Sequence, residues 1–347
     1  MQDKRVEILQ ALEQGKITAD EAMTMLNQLN QQPQDEPNLF FDTDDEDEDW
    51  IDSVFSGVAD TIRGVVGDIK DAFSDFDGVG GYDNKVEFTS GNVAQGLAKL
   101  VLIGKNAAVS VSAHNEPYAY IMCNYTAKRP EAQMFLQEEN GQIQVVYDEK
   151  LFRKMEITCY VPRSKIKHFH AATKNAAVRV EDIQADTALL RSTNDVIEAS
   201  GINCASLVAQ TTNAKIRIFG ICATSAALKT TNDHIKLERA DIVNLQLQTT
   251  NASLKLEKFL LGVGAWHGER TIDARTTNSS IAFAVPEEVG LQLNATGAKV
   301  NCKIPDMKFT DITKKRVHGT SYNYEFNSTK LKATLHTTNA TVGVKNL

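Results

Sequence analysis

His168 and His170 flank Phe169, and imidazoles two residues apart on a strand share one face. Two such groups invite a metal. A closed site needs three or four ligands, and no thiol or carboxylate stands at a spacing that completes the set. The five cysteines, Cys123, Cys159, Cys204, Cys222 and Cys302, include no pair at metal-ligand spacing, and their number is odd. Cys159 and Cys302 occupy inward places of the alternating runs 157–161 and 300–304, so buried reduced thiols are expected. The acidic run 42–49 lacks the spaced Gly and terminal Glu of an EF-hand and reads as solvated linker. No Gly-rich phosphate loop, nucleophile elbow or Cys/His pair stands out. The expectation is a protein without catalytic residues, metal or cofactor, and therefore not an enzyme.

The most regular polar residue is asparagine. Asn175, Asn194, Asn213, Asn232, Asn251 and Asn278 follow at steps of 19, 19, 19, 19 and 27, mostly as Thr-Thr-Asn, and the motif returns at Asn339. A fixed period marks a stacked repeat. Three residues after each of the first six Asn the chain is aliphatic: Val178, Ile197, Ile216, Ile235, Leu254 and Ile281. Five after, it is Val180, Ala199, Ile218, Leu237, Leu256 and Phe283, with Arg179, Glu198, Arg217, Lys236 and Lys255 between. That alternation is a strand with one buried face. A second strand closes each period through Ala188/Leu190, Leu207/Ala209, Ala226/Leu228 and Leu245/Leu247.

Such elements must stack on their own copies. The fold class expected is mainly β, a parallel β-helix or β-solenoid with 19-residue rungs about 4.8 Å apart. Its core belongs to the stack rather than to any one rung, and large and small inward residues alternate so that layers interlock. At the turns Asn bonds its own backbone, and stacked amides bond along the axis, so a structural Asn ladder is expected. Turn chemistry accounts for the Thr and Asn without a glycan- or ice-binding role.

Around this block the chain divides into 1–30, 31–49, 50–76, 82–156 and 157–347. Residues 2–30 read as a helical hairpin, with Gly15 ending the first helix and Thr18-Ala-Asp-Glu21 as a capping box. So short a unit buries little surface, so residues 2–30 are expected to self-associate or to meet a partner. Residues 31–49 are acidic linker. Residues 50–76 read as an amphipathic helix whose apolar stripe includes Ile51, Phe55, Ile62 and Phe73. It needs a surface, either a membrane or the end or flank of the solenoid; its acidic polar side favours the solenoid. Residues 82–156 read as irregular rungs, with Asn106 and Asn140 as joints and Ala119/Ile121 on a second strand. The step of 27 places an insertion near 260–268, where Trp266 and His267 are candidate interaction residues. Gly297 replaces the joint Asn, and 306–336 departs from the template.

Charge is asymmetric. Residues 1–76 carry 5 basic and 19 acidic groups, net −14; the remainder carries 32 and 26, net +6, which sums to −8. An acidic head on a mildly basic body invites docking. Nucleic-acid binding is not expected, since no aromatic platform accompanies the weak basic charge. No run of 18 apolar residues and no apolar signal core occurs, so neither a transmembrane segment nor a signal peptide is expected. That points to a cytoplasmic or peripherally envelope-associated protein.

Residues 3–22 resemble the short helical N-terminal domain of bacterial YvlB- and LiaX-like proteins. The repeats from about Ile157 onward resemble their adhesin-like β-strand repeat domain, also found in LiaG-like proteins. The resemblance implies a Gram-positive envelope-stress role: sensing membrane damage, binding antimicrobial peptides and controlling a stress regulator protein. It brings no catalytic residues. Three functions follow. The first is a non-enzymatic envelope-stress protein whose head meets a membrane surface, an antimicrobial peptide or a regulator protein. The second is a cytoplasmic oligomerising scaffold. The third is a carbohydrate-binding or carbohydrate-cleaving β-helix.

Overall fold

A computed structural model of the protein describes residues 82–257, 268–322, 324–325 and 329–347. The helices expected at 2–30 and 50–76, the linker 31–49, and Trp266 and His267 lie outside the described residues. The described chain is almost wholly β, in two long sheets of 12 and 13 strands.

Each regular rung contributes a four-residue strand to one sheet and an eight-residue strand to the other. In the short-strand sheet Val178–Glu181, Ile197–Ser200, Ile216–Phe219, Ile235–Glu238 and Leu254–Glu257 stack in parallel. Ile197 pairs with Ile216, and Ile216 with Ile235. In the long-strand sheet Gln184–Arg191, Asn203–Gln210, Cys222–Lys229 and Asp241–Gln248 do the same. Ala188, Leu207, Ala226 and Leu245 form one inward file, large against small, all buried. The expected β-solenoid is therefore the fold, with one core running from Val86 to Val344 between the sheets.

The second corner of each rung was not legible as a motif. Seven residues after the joint Asn, backbone φ is positive at Asp182 (57°), Gly201 (62°), Gly220 (61°) and Arg239 (53°). The chain turns there from short strand to long strand. Gly, Asp and Arg share no side-chain chemistry, so only the backbone unites them.

Both ends of the stack depart from sequence order. Ala107–His114 lies directly against Val178–Glu181, and Phe152–Pro162 lies on its other side. Ala119 and Ile121 are fully buried, but strand Tyr120–Ala127 belongs to the short-strand sheet, antiparallel to Phe152–Pro162, and not to a second strand of a rung. The five residues 115–119 reverse the chain where a rung would carry it across. Asn140 is likewise no joint. With Gly141 it makes the turn of a hairpin, Met134–Glu139 with Gln142–Tyr147, at φ 51° and 74°. Asn-Gly is a strong hairpin signal, and it outweighed the match to the joint template.

At the other end, Thr329–Thr337 slots between Gly268–Thr276 and Gly290–Thr296. The last rung in sequence is thus the last but one in space. A Cβ on Gly297 would come within 2.8 Å of Thr337 Cγ2 and 3.0 Å of the Ala340 carbonyl. The returning rung fills the space a joint Asn needs. The hairpin Met307–Ile312 and Arg316–Ser321 then caps Gly290–Thr296 with antiparallel pairing, which protects that sheet edge.

Candidate functional site: the asparagine file and the outer faces

Asn175, Asn194, Asn213, Asn232, Asn251, Asn278 and Asn339 stand in one exposed file, with Asn106 at its start. Each Nδ2 donates to the Oδ1 of the preceding Asn: 2.7 Å from Asn175 to Asn106, 2.6 Å from Asn194, 2.7 Å from Asn213, 2.7 Å from Asn232, 2.8 Å from Asn251, 2.9 Å from Asn278 and 2.8 Å from Asn339. The backbone repeats the pattern: the Asn213 N–H donates to the Thr193 carbonyl and the Asn232 N–H to that of Thr212, both at 2.9 Å. Beside this file runs a buried hydroxyl file. Thr230 donates to the Ala214 carbonyl at 2.9 Å and Thr337 to that of Ser279 at 2.8 Å. The first Thr of Thr-Thr-Asn is thus an inward cap for the turn, and the Asn is an axial strut. Each interior amide donates to the Asn before it and accepts from the Asn after it.

The outer face of the short-strand sheet is charged but internally paired. Glu198 lies between Arg179 (3.3 Å) and Arg217 (3.1 Å), and Glu257 lies between Lys236 (3.6 Å) and Lys255 (2.9 Å). Arg179, Glu198, Arg217 and Lys236 rim a shallow groove of about 400 Å³. Each cation already faces a carboxylate, so the groove offers no concentrated charge. Exposed pairs of this kind contribute little singly, about 0–1 kcal/mol.

The two histidines are on one strand, Ile166–Thr173, with Phe169 buried between them. His168 is exposed and its Nδ1 meets Thr187 Oγ1 at 3.0 Å. His170 is largely buried, and burial, then the charges of Arg191 and Lys99, push its pKa down to about 4. It is therefore neutral at physiological pH. No group of three or more His, Cys, Asp or Glu among the described residues could hold a metal. The cysteines are free thiols, and burial pushes those of Cys123 and Cys204 up to about 12. Such thiols are poor nucleophiles. A buried ion pair escaped the sequence reading: Arg270 donates to Asp241 Oδ1 at 2.7 and 3.0 Å, both side chains 4% exposed. It sits on the strand that follows the insertion expected near 260–268, and periodicity carries no signal for it.

The Toastrack DUF4097 pattern matches residues 126–345, more than half of the sequence. The chain belongs to the Toastrack DUF4097 family. A SHOCT-like domain pattern matches residues 3–34, over the stretch read as a helical hairpin. No curated protein matches the Toastrack chain closely enough to count as a relative. Among solved structures, a candidate adhesin from Bacteroides fragilis NCTC 9343 is similar at 12% identity and TM-score 0.32, over 78% of this chain and 100% of that one. A candidate lipid-binding protein from Parabacteroides distasonis ATCC 8503 is similar at 7% identity and TM-score 0.39, over 76% and 97%. A candidate adhesin from Parabacteroides merdae ATCC 43184 is similar at 10% identity and TM-score 0.31, over 76% and 95%. Likeness of this grade carries no argument about function. Among the described residues no helix is long and apolar enough to cross a membrane.

Proposed function

We propose that this Toastrack protein is a non-enzymatic component of the bacterial envelope-stress response. The β-solenoid is the frame, and residues 1–76 engage a membrane surface, a cationic antimicrobial peptide or a stress regulator protein. One observation carries the reading. The most regular polar feature of the body, the Asn file, donates and accepts along itself, and the charged face pairs with itself. Binding capacity is then concentrated in the acidic head, whose residues 3–22 resemble the YvlB- and LiaX-like proteins. The test compares binding of anionic vesicles and a cationic amphipathic peptide by residues 1–80 and by residues 82–347. Binding by the first piece alone supports the proposal; silence from both defeats it.

The free cysteines favour a second reading in a reducing compartment. There the protein is a cytoplasmic scaffold that oligomerises through residues 2–30. Deleting residues 1–30 then yields a monomer in sedimentation, and an unchanged mass removes this alternative.

A further inference from the structure

The outer face of the long-strand sheet, turned away from the core, carries an apolar strip. Register fixes one file across the strands as Val101, His170, Leu189, Val208 and Ala227, ending at Gln246. Ile103 and Ala172 are paired in the file beside it. These residues point away from the core, yet Val101, Ile103, Ala172 and Ala227 are 5, 7, 0 and 1% exposed, and His170, Leu189 and Val208 are half-buried. Val101, Ile103 and Ala172 form an apolar cluster separate from the main core. His170 Nε2 and Arg191 Nε are sealed from solvent on the same face. Among the described residues, the strands that bear them pack on their sheet neighbours, and Leu97–Gly104 and Ile166–Thr173 also on the opposite sheet. An outward face this dry has a cover.

We propose that the strip is the seat of the chain's own residues 50–76, laid along it as a helix. Three properties select that occupant. The first is its apolar stripe: Ile51, Phe55, Val58, Ile62, Val66 and Ile69 recur at three or four residues, and the helix needs a surface. The second is reach. From strand Leu97–Gly104 to strand Cys222–Lys229 the strip crosses four strand spacings, about 19 Å, which roughly 13 helical residues cover. The described chain begins at Tyr82, over whose ring Lys154 lies, at the end of the stack where the strip starts. The tether 77–81 spans at most about 18 Å. The third is charge. Residues 50–76 carry five Asp against Arg63 and Lys70, and the strip is edged by Lys99, Arg191 and Lys229. With residues 50–76 seated here, the head that engages a partner is left with residues 1–49.

Hydrogen–deuterium exchange on the full chain tests it. The variant Leu189→Glu/Val208→Glu alters two outward residues and leaves the inward Leu190 and Leu207 intact. Residues 50–76 should exchange slowly in the parent chain and roughly tenfold faster or more in the variant, with strands Gln184–Arg191 and Asn203–Gln210 still protected. Phe55→Glu/Ile62→Glu leaves the solenoid untouched and should give the same release, with a rise in bound apolar dye. The proposal is overturned if residues 50–76 are unprotected in the parent chain or equally protected in both variants. It is also overturned if the strip variant instead splits a dimer with residues 50–76 unchanged, which makes a second copy the occupant. Protection that arises only when anionic vesicles are added assigns the segment to membrane and equally overturns it.

Discussion

Asn339 donates its side-chain amide to Asn278 across 2.8 Å, although 61 residues separate them. That bond places the last rung of the sequence inside the stack, with Gly290–Thr296 and Lys299–Lys303 beyond it. Removing the chain's end therefore withdraws a middle layer. Truncation after Ser321 should leave Leu293, Ala295 and Val300 without their neighbours Ala333, Leu335 and Val342. The expected outcome is loss of protease resistance over 290–321, with the rungs 178–248 still resistant. A truncated chain whose 290–321 region resists protease as the parent does would contradict the intercalated order.

Asn232 holds two struts of the file, donating to Asn213 and accepting from Asn251. Replacing it by Ala removes both bonds at an exposed site. The expected cost is about 1–2 kcal/mol, read as a lower urea midpoint. Asn232→Asp keeps an acceptor facing Asn251 but turns a carboxylate on the Asn213 oxygen, so it should cost at least as much. The difference should shrink at acid pH, where the carboxyl is protonated and can donate.

Arg270 and Asp241 neutralise each other almost out of solvent. Removing one partner strands a buried charge, which costs about 3–5 kcal/mol. Arg270→Met and Asp241→Asn should each lower the thermal midpoint strongly. The double replacement should recover much of the loss, because two neutral groups then share the site. Additive losses in the double variant would show that the ion pair is not the reason for either effect.

His170 gives stability a pH dependence. Its ordinary value is 6.5 and burial, with Arg191 and Lys99 nearby, holds it at about 4 in the folded chain. Between these values the unfolded state binds the proton that the folded state refuses. Stability is thus fully present above pH 6.5 and is lost as pH falls toward 4, at no more than about 1.4 kcal/mol per pH unit for this group. His170→Gln should flatten that part of the curve in urea titrations at successive pH values. An unchanged slope would mean that other groups supply it.

The body was legible where side chains repeat. Aliphatic residues at three and five places after each Asn are the inward file, because alternation and burial are the same constraint in a strand. The first Thr and the Asn of each joint were legible as turn chemistry. The corner at Asp182, Gly201, Gly220 and Arg239 was not, because one backbone angle is served there by unlike side chains. The end order was not legible either. Template matching at Asn140 and Ala119/Ile121 tests residue type, whereas sheet placement depends on where the chain reverses. The dry strip was hidden for a further reason: Val101, Leu189 and Val208 occupy outward places of strands whose inward places already explain the pattern. The Arg270–Asp241 pair joins strands on either side of an insertion, so no period links them.

Every site assignment rests on Ile197, Ile216 and Ile235 lying over one another on parallel neighbours. Methyl-labelled isoleucine NMR measures this directly. Strong cross-peaks from Ile197 to Ile216 and from Ile216 to Ile235, with none of comparable strength from Ile197 to Ile235, are the predicted result. Equal contact among all three, or no contact between successive rungs, would contradict the stack.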